Sequence, residues 1–254
     1  MQTSGNTILI TGGGSGIGRG LAEAFHALGN EVIIAGRRKQ ALEATTAANP
    51  GMAALTLDIE DGAKTRAFAA EVAARYPALN VLVNNAGIMR VERLKAEEVD
   101  AATAEATIAT NLLGPIRLTA ALLPLLRKQP RSAIMNVSSG LAFVPWASTP
   151  TYCATKAALH SYTQSLRWQL RGSTIQVLEL IPPYVATDLM SGGADPRAMP
   201  LDRFIAEVME ILKTQPVAAE IAVESVKPLR SAAESGRYDT VFQRLNEAMG
   251  EGPH

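Results

Sequence analysis

Tyr152 and Lys156 stand four residues apart in Tyr152-Cys-Ala-Thr-Lys156, a spacing that places a phenol and an ammonium on one side of a helix. A cation beside a phenol favours the phenolate, which draws the tyrosine down from its free value of about 10 toward a range useful for exchanging protons. Ser139 lies thirteen residues earlier, in Asn136-Val-Ser-Ser139 at the end of a strand-like run. A tyrosine–lysine pair alone is common on surface helices, so its meaning depends on what else the chain carries. Thr11-Gly-Gly-Gly-Ser-Gly-Ile-Gly18 stands between an apolar run and a helical one. Glycines at 12, 16 and 18 permit a tight turn, close backbone approach to a ligand and close helix–sheet packing, and the helix N-terminus offers free N–H groups to a pyrophosphate. The next strand ends Ala35-Gly-Arg-Arg38. No acid stands there for the ribose hydroxyls of NAD, whereas two guanidinium groups can pair with the phosphate of NADP, so NADP(H) is favoured over NAD(H). The plainer reading makes Arg37, Arg38 and Lys39 a solvated helix start, although cations at that end oppose the helix dipole unless an anion joins them.

Alternation positions these groups. Strand-like runs at 7–10, 31–35, 52–57, 80–84, 133–137 and 174–180 alternate with helical stretches at 17–28, 39–48, 61–76, 96–127 and 152–171. Gly114-Pro115 interrupts the 96–127 stretch, and a helix over 202–214, a last strand at 220–223 and a helix over 225–249 follow. Repeated alternation predicts an α/β fold, a single-domain doubly wound parallel sheet of about seven strands with helices on both faces. The segment from about 189 to 201, rich in glycine, proline and small residues, reads as a mobile loop beside a site within one domain spanning 1–254.

The glycine turn and the Tyr152–Lys156 pair together resemble the short-chain dehydrogenase/reductase family, and the likeness covers roughly residues 7 to 189. That resemblance implies a Rossmann fold and a catalytic tetrad of Asn111, Ser139, Tyr152 and Lys156. Ser139 would hold the substrate oxygen and Tyr152 would give or take its proton. Lys156 would bind the nicotinamide ribose and lower the Tyr152 pKa, and Asn111 would hold a water that links Lys156 to solvent. It implies cofactor contacts at Gly12, Ser15, Gly16, Ile17 and Gly18, at Arg37 and Arg38, at Asp58 and Ile59, at Asn85, Ala86 and Gly87 of Asn84-Asn-Ala-Gly87, at Tyr152 and Lys156, and at Val185 and Thr187. The chain departs from the family where Pro183 replaces a common glycine, removing an N–H donor, and in its tail over 225–254. That tail resembles the smaller subgroup of oxidoreductases named for their association with lipoteichoic acid D-alanylation genes.

Around the expected carbonyl position stand Met89, Arg90, Val91, Leu141, Phe143, Val144, Trp146, Tyr184, Leu189 and Met190. Most are apolar, which points to a hydrophobic or aromatic ketone or aldehyde; Phe143 and Trp146 could equally pack the loop. Lys plus Arg and Asp plus Glu each number 24, so nucleic acid is not an expected partner. No apolar run looks long enough to cross a bilayer, no secretory signal pattern opens the chain, and the cytoplasm is the expected compartment. His26, His160 and His254 lack a nearby acid or thiol in sequence, so no metal site is expected. Lone Cys153 reads as a small buried hydrophobe. Ala120, Ala121, Leu122, Leu125, Leu159, Leu166 and Trp168 suggest a homodimer or homotetramer built on helix faces. Alternatives are an NAD(H)-dependent dehydrogenase of the same family, a non-catalytic dinucleotide-binding sensor or scaffold, and an enzyme that uses bound nicotinamide for dehydration or epimerisation.

Overall fold

The computed structural model describes residues 1–97, 101–190 and 195–250. Seven parallel strands run β1 Thr7–Thr11, β2 Glu31–Gly36, β3 Ala53–Thr56, β4 Val81–Asn84, β5 Ser132–Val137, β6 Ile175–Ile181 and β7 Glu220–Ala222. They lie in the order β3-β2-β1-β4-β5-β6-β7. β1, β4 and β5 are buried along their whole length, as expected of central strands in a sheet covered on both sides, and their buried polar residues, among them Asn84 and Asn136, are hydrogen-bonded.

Helices α1 Gly16–Ala27 and α2 Lys39–Ala48 cover one face together with α7 Leu201–Thr214, through Leu21, Phe25, Leu42, Phe204 and Val208. The other face is covered by α3 Gly62–Arg75, α4 Ala102–Ile108, α5 Gly114–Leu126 and α6 Pro150–Gln169. Phe68, Val72, Leu118, Leu122 and Leu166 form its core. The strand order reverses between β1 and β4, so the loops after these strands splay apart and leave a crevice at the carboxyl ends.

Four expectations change. The helix expected over 96–127 begins at Ala102, and its start over 98–100 lies outside the described residues; a π-helical turn, Ala109–Leu113, separates α4 from α5. The stretch Ala102–Leu126 is, by length and composition alone, long and apolar enough to cross a membrane, an 18-residue window of it having a mean hydropathy of 1.3, contrary to the expectation that no run approaches that length. Its apolar side is nonetheless laid on the sheet, where Leu118, Leu122 and Leu126 are fully buried. Leu122, Leu159 and Leu166 are likewise core residues rather than parts of a helical interface, while Trp168 is 66% exposed. The expected helix over 225–249 is broken: α8 Lys227–Arg230 gives way to turns, and α9 Tyr238–Met249 follows.

Candidate active site

The crevice is a cavity of about 500 Å³ running from the glycine turn to Tyr152. At its floor, Thr11 clasps β1 to the segment after β4. Its hydroxyl accepts hydrogen bonds from Asn85 N and Ala86 N, both at 3.0 Å, and its carbonyl accepts Asn85 Nδ2 at 2.9 Å. Gly12 has φ +69 and Gly16 φ +52, backbone angles that a side chain would strain. A Cβ at Gly18 would stand 2.4 Å from both Asn85 Nδ2 and Gly12 O, so this glycine serves packing and does not line the cavity.

Gly12, Ser15, Gly16, Ile17, Arg37, Arg38, Ile59, Asn85, Ala86, Gly87, Val185 and Thr187 all line the cavity. Asp58 is not among the lining residues, and its carboxylate accepts Glu60 N at 3.3 Å. The two arginines differ. Arg38 donates to Ser15 Oγ at 2.5 Å, bridging the end of β2 to the glycine turn. Arg37 is paired with Glu60 at 2.8 Å, and Glu60 also accepts the Thr110 hydroxyl. Glu60 therefore offsets the charge of Arg37 and leaves Arg38 as the one of the two with no acid bonded to it among the described residues. Sequence reading had missed Glu60, which lies twenty-three residues from Arg37.

At the other end the structure brings the tetrad together. The π turn places Asn111 so that its amide clasps Ile88: Oδ1 accepts Ile88 N at 2.9 Å, and Nδ2 donates to Ile88 O at 2.8 Å and to Thr155 Oγ1 at 3.3 Å. π turns inside helices commonly mark functional sites. Asn111 thus ties the segment after β4 to α6. A Cβ at Gly87 would come 3.3 Å from Asn111 Oδ1 and 3.7 Å from Lys156 Nζ, so the glycine keeps this corner open. Ser139 accepts the Leu141 N–H at 3.1 Å. Lys156 Nζ donates to Val137 O at 2.8 Å and lies 5.6 Å from the centre of the Tyr152 ring.

Tyr152 titrates opposite to the expected direction. Burial pushes it up to about 12, and a hydrogen bond with Ser139 opposes that only in part. The Lys156 ammonium is spent on a backbone carbonyl and is itself pulled down to about 8 by burial. Desolvation dominates here, and Tyr152 is held as a protonated acid.

The substrate end is closed by side chains that sequence reading had missed. Met89, Arg90, Leu141, Trp146, Tyr184 and Leu189 line the cavity as expected, joined by Leu229, Leu245 and Met249 from the tail. Phe143 turns away, meeting His160 edge-on at 4.7 Å with Arg230 stacked over it at 4.7 Å; Val91 and Val144 also lie off the lining. The side chain of Met190, residues 191–194 of the expected mobile loop, and residues 251–254 with His254 lie outside the described residues.

The return of that loop is fastened. Met199 N donates to Tyr184 O at 2.8 Å and Ala186 N to Met199 O at 2.9 Å. Asn246 of α9 accepts Ala147 N at 2.7 Å and donates to Pro145 O at 3.1 Å, and Trp146 Nε1 donates to Gly250 O at 3.0 Å. Arg197, chelated by Asp195, donates to Ala248 O. The period of Val241, Leu245 and Met249 was the available signal that this helix turns one face inward. His160 lies against two acids, Glu179 and Glu220, correcting the expectation that none is near.

A dinucleotide turn at a switch point, with a buried Ser–Tyr–Lys group facing it, defines a nicotinamide-dependent oxidoreductase fold and site. The chain belongs to the short chain dehydrogenase family, whose model matches residues 6–197. Over nearly its whole length it is similar to the uncharacterized oxidoreductase DltE of Bacillus subtilis, 39% identical across 97% of this chain and 98% of that one, and the match extends through the unusual tail. A short chain dehydrogenase from Burkholderia cenocepacia, solved in complex with NADP, superposes with a TM-score of 0.82 at 26% identity, covering 96% of this chain and 99% of that chain. A 3-ketoacyl-(acyl-carrier-protein) reductase from Brucella melitensis, complexed with NADH, gives 0.77 at 27% identity, over 85% and 93%.

Proposed function

We propose that the chain is an NADP(H)-dependent oxidoreductase interconverting a carbonyl and an alcohol by hydride transfer, acting on a hydrophobic ketone or aldehyde as a homodimer or homotetramer in the cytoplasm. The observation that carries this is the meeting, in one cavity, of a glycine turn bridged by Arg38 with a Ser139–Tyr152 hydrogen bond and a buried Lys156. The residues fit a dinucleotide: the cradle at Gly12 and Gly16 is shaped by backbone angles that side chains resist, and the start of α1, where a helix offers its N–H groups to a pyrophosphate, lines it through Gly16 and Ile17.

When bound, the cofactor supplies the hydride. Ser139 orients the substrate oxygen, and Tyr152, kept protonated by burial, donates its proton to it during reduction and is left as phenolate; oxidation is the reverse and starts from that phenolate, so it requires prior loss of the phenol proton. Lys156 is placed to hold ribose hydroxyls beside Gly87. Met89, Leu141, Trp146, Leu245 and Met249 exclude water from the reacting carbonyl. Relatives are solved with NADP and with NADH, so the NADP(H) reading rests on Arg38 at the glycine turn. The salt bridge that Glu60 makes to Arg37 favours the NAD(H) alternative, because it weakens one of the two phosphate-binding groups. The tetrad is complete, which counts against a non-catalytic sensor.

The test follows NADPH consumption across a panel of apolar ketones, aldehydes, sugars and polyols. Turnover of apolar carbonyls is expected. Turnover confined to sugars or polyols would reject the substrate class, and tight NADPH binding with no turnover of any carbonyl would favour the sensor. Light scattering at micromolar concentration checks assembly, a monomer mass contradicting it.

A further inference from the structure

Four in-register residues of β4, β5, β6 and β7 form one polar row across the sheet beneath α6: Asn84, Asn136, Glu179 and Glu220. Asn84 Nδ2 donates to Asn136 Oδ1 at 2.8 Å, and Asn136 Nδ2 donates to Thr163 Oγ1 at 2.8 Å. Glu179 is fully buried; its Oε2 accepts the Nδ1–H of His160 at 2.7 Å, while its Oε1 has no partner among the described residues. Sequestering a carboxylate with one hydrogen bond is costly unless a cation stands near.

The charged groups that face this carboxylate come from three elements. From β7, Glu220 is held by Arg230 of α8 through two hydrogen bonds, at 2.7 and 3.1 Å, so this acid and this guanidinium satisfy each other. That pairing also argues against a metal held by His160, Glu179 and Glu220, since the third ligand is already committed. From α6, Arg167 sends its guanidinium to Val177 O and Ala219 O. The remaining α6 cation is Lys156, one turn before His160 on the same helix. It reaches the sheet at Val137, whose β6 neighbour Leu180 directly follows Glu179.

We propose that Glu179, steadied by His160, is the positioning residue that keeps Lys156 protonated and drawn down onto the sheet beside Tyr152. In support, the charge of Glu179 raises Lys156 against the burial that lowers it. The inference rests on and deepens the oxidoreductase reading by adding a group that acts on Lys156 from the sheet, yet its electrostatic content can be measured without turnover.

The experiment is a 13C NMR titration of the Lys156 side chain in the full chain, assigned with Lys156→Gln, in the unsubstituted protein and in Glu179→Gln. Loss of the carboxylate is expected to lower the Lys156 titration by about one pH unit, with the amide spectrum otherwise retained. An unchanged titration in a folded variant would overturn the proposal. If Glu179→Gln does not fold, the reciprocal measurement decides: the Glu179 carboxyl must titrate at higher pH in Lys156→Gln than in the unsubstituted protein, and equal values would refute the coupling. In kinetics, the alkaline limb of the reduction profile should move down with Lys156. Failure to find any carbonyl substrate would leave the titration result standing, which separates this inference from the proposed activity.

Discussion

The two ends of the cavity are built by opposite means. The dinucleotide end is made of backbone: positive-φ glycines, the Thr11 clasp and strands buried over their whole length. The substrate end is made of side chains, several of them borne by α9, a helix with no buried residue that is held by Asn246, Gly250 and Arg197 contacts at its last turns. The difference shows where this fold can vary. Chemistry requires fixed distances and draws them from the sheet, whereas shape selection needs only apolar bulk and can be delegated to an appended helix.

Tyr152→Phe gives the largest expected effect, a fall of about 10² to 10⁴ in turnover. NADPH affinity should be retained, because the cradle is backbone-built; a parallel loss of affinity would show the two ends to be less separable than described. Replacing both Leu245 and Met249 by Ala is expected to raise KM for bulky apolar substrates by roughly tenfold, the loss of about two methylene groups' worth of contact with the substrate. The melting temperature and cofactor affinity should hardly change, and a collapse of stability would mean that α9 belongs to the core.

How much of this was legible in sequence follows the same division. The glycine turn, Ser139, Tyr152 and Lys156 are recognisable because their chemistry is encoded in short spacings, and the seven strands because alternation is local. The closure by α9 depends on contacts such as Ala147 with Asn246, ninety-nine residues apart, which no local pattern reports. The Arg37–Glu60 pair and the acids beside His160 were hidden for the same reason, since strand register brings them together. The direction of the Tyr152 shift failed for a different cause: helix spacing gives proximity to Lys156, but burial of the phenol is set by tertiary packing.

That direction has a smaller and measurable consequence. Burial holds Tyr152 protonated to about 12 and brings Lys156 to about 8. kcat/KM for reduction, which reports the free enzyme, is therefore expected to decline by a few fold as pH rises through 8, when Lys156 loses its proton and Tyr152 keeps its own. A profile flat to pH 10 would contradict this account. The smallest effect belongs to Cys153, whose thiol faces Thr149 and Trp146 O at 3.6 Å, away from the cavity. Cys153→Ala should retain activity, and near-complete loss in a folded variant would place that helix face in the site.

The most direct test is a titration of the purified chain with NADPH and with NADH, repeated in Arg38→Ala and Arg37→Ala. The structure predicts tighter binding of NADPH, a preference reduced about tenfold or more by Arg38→Ala, the loss of a charge-assisted hydrogen bond to phosphate, and less by Arg37→Ala because Glu60 already engages that guanidinium. Tighter binding of NADH would overturn the cofactor assignment within the same family, and binding of neither dinucleotide by folded protein would contradict the oxidoreductase reading.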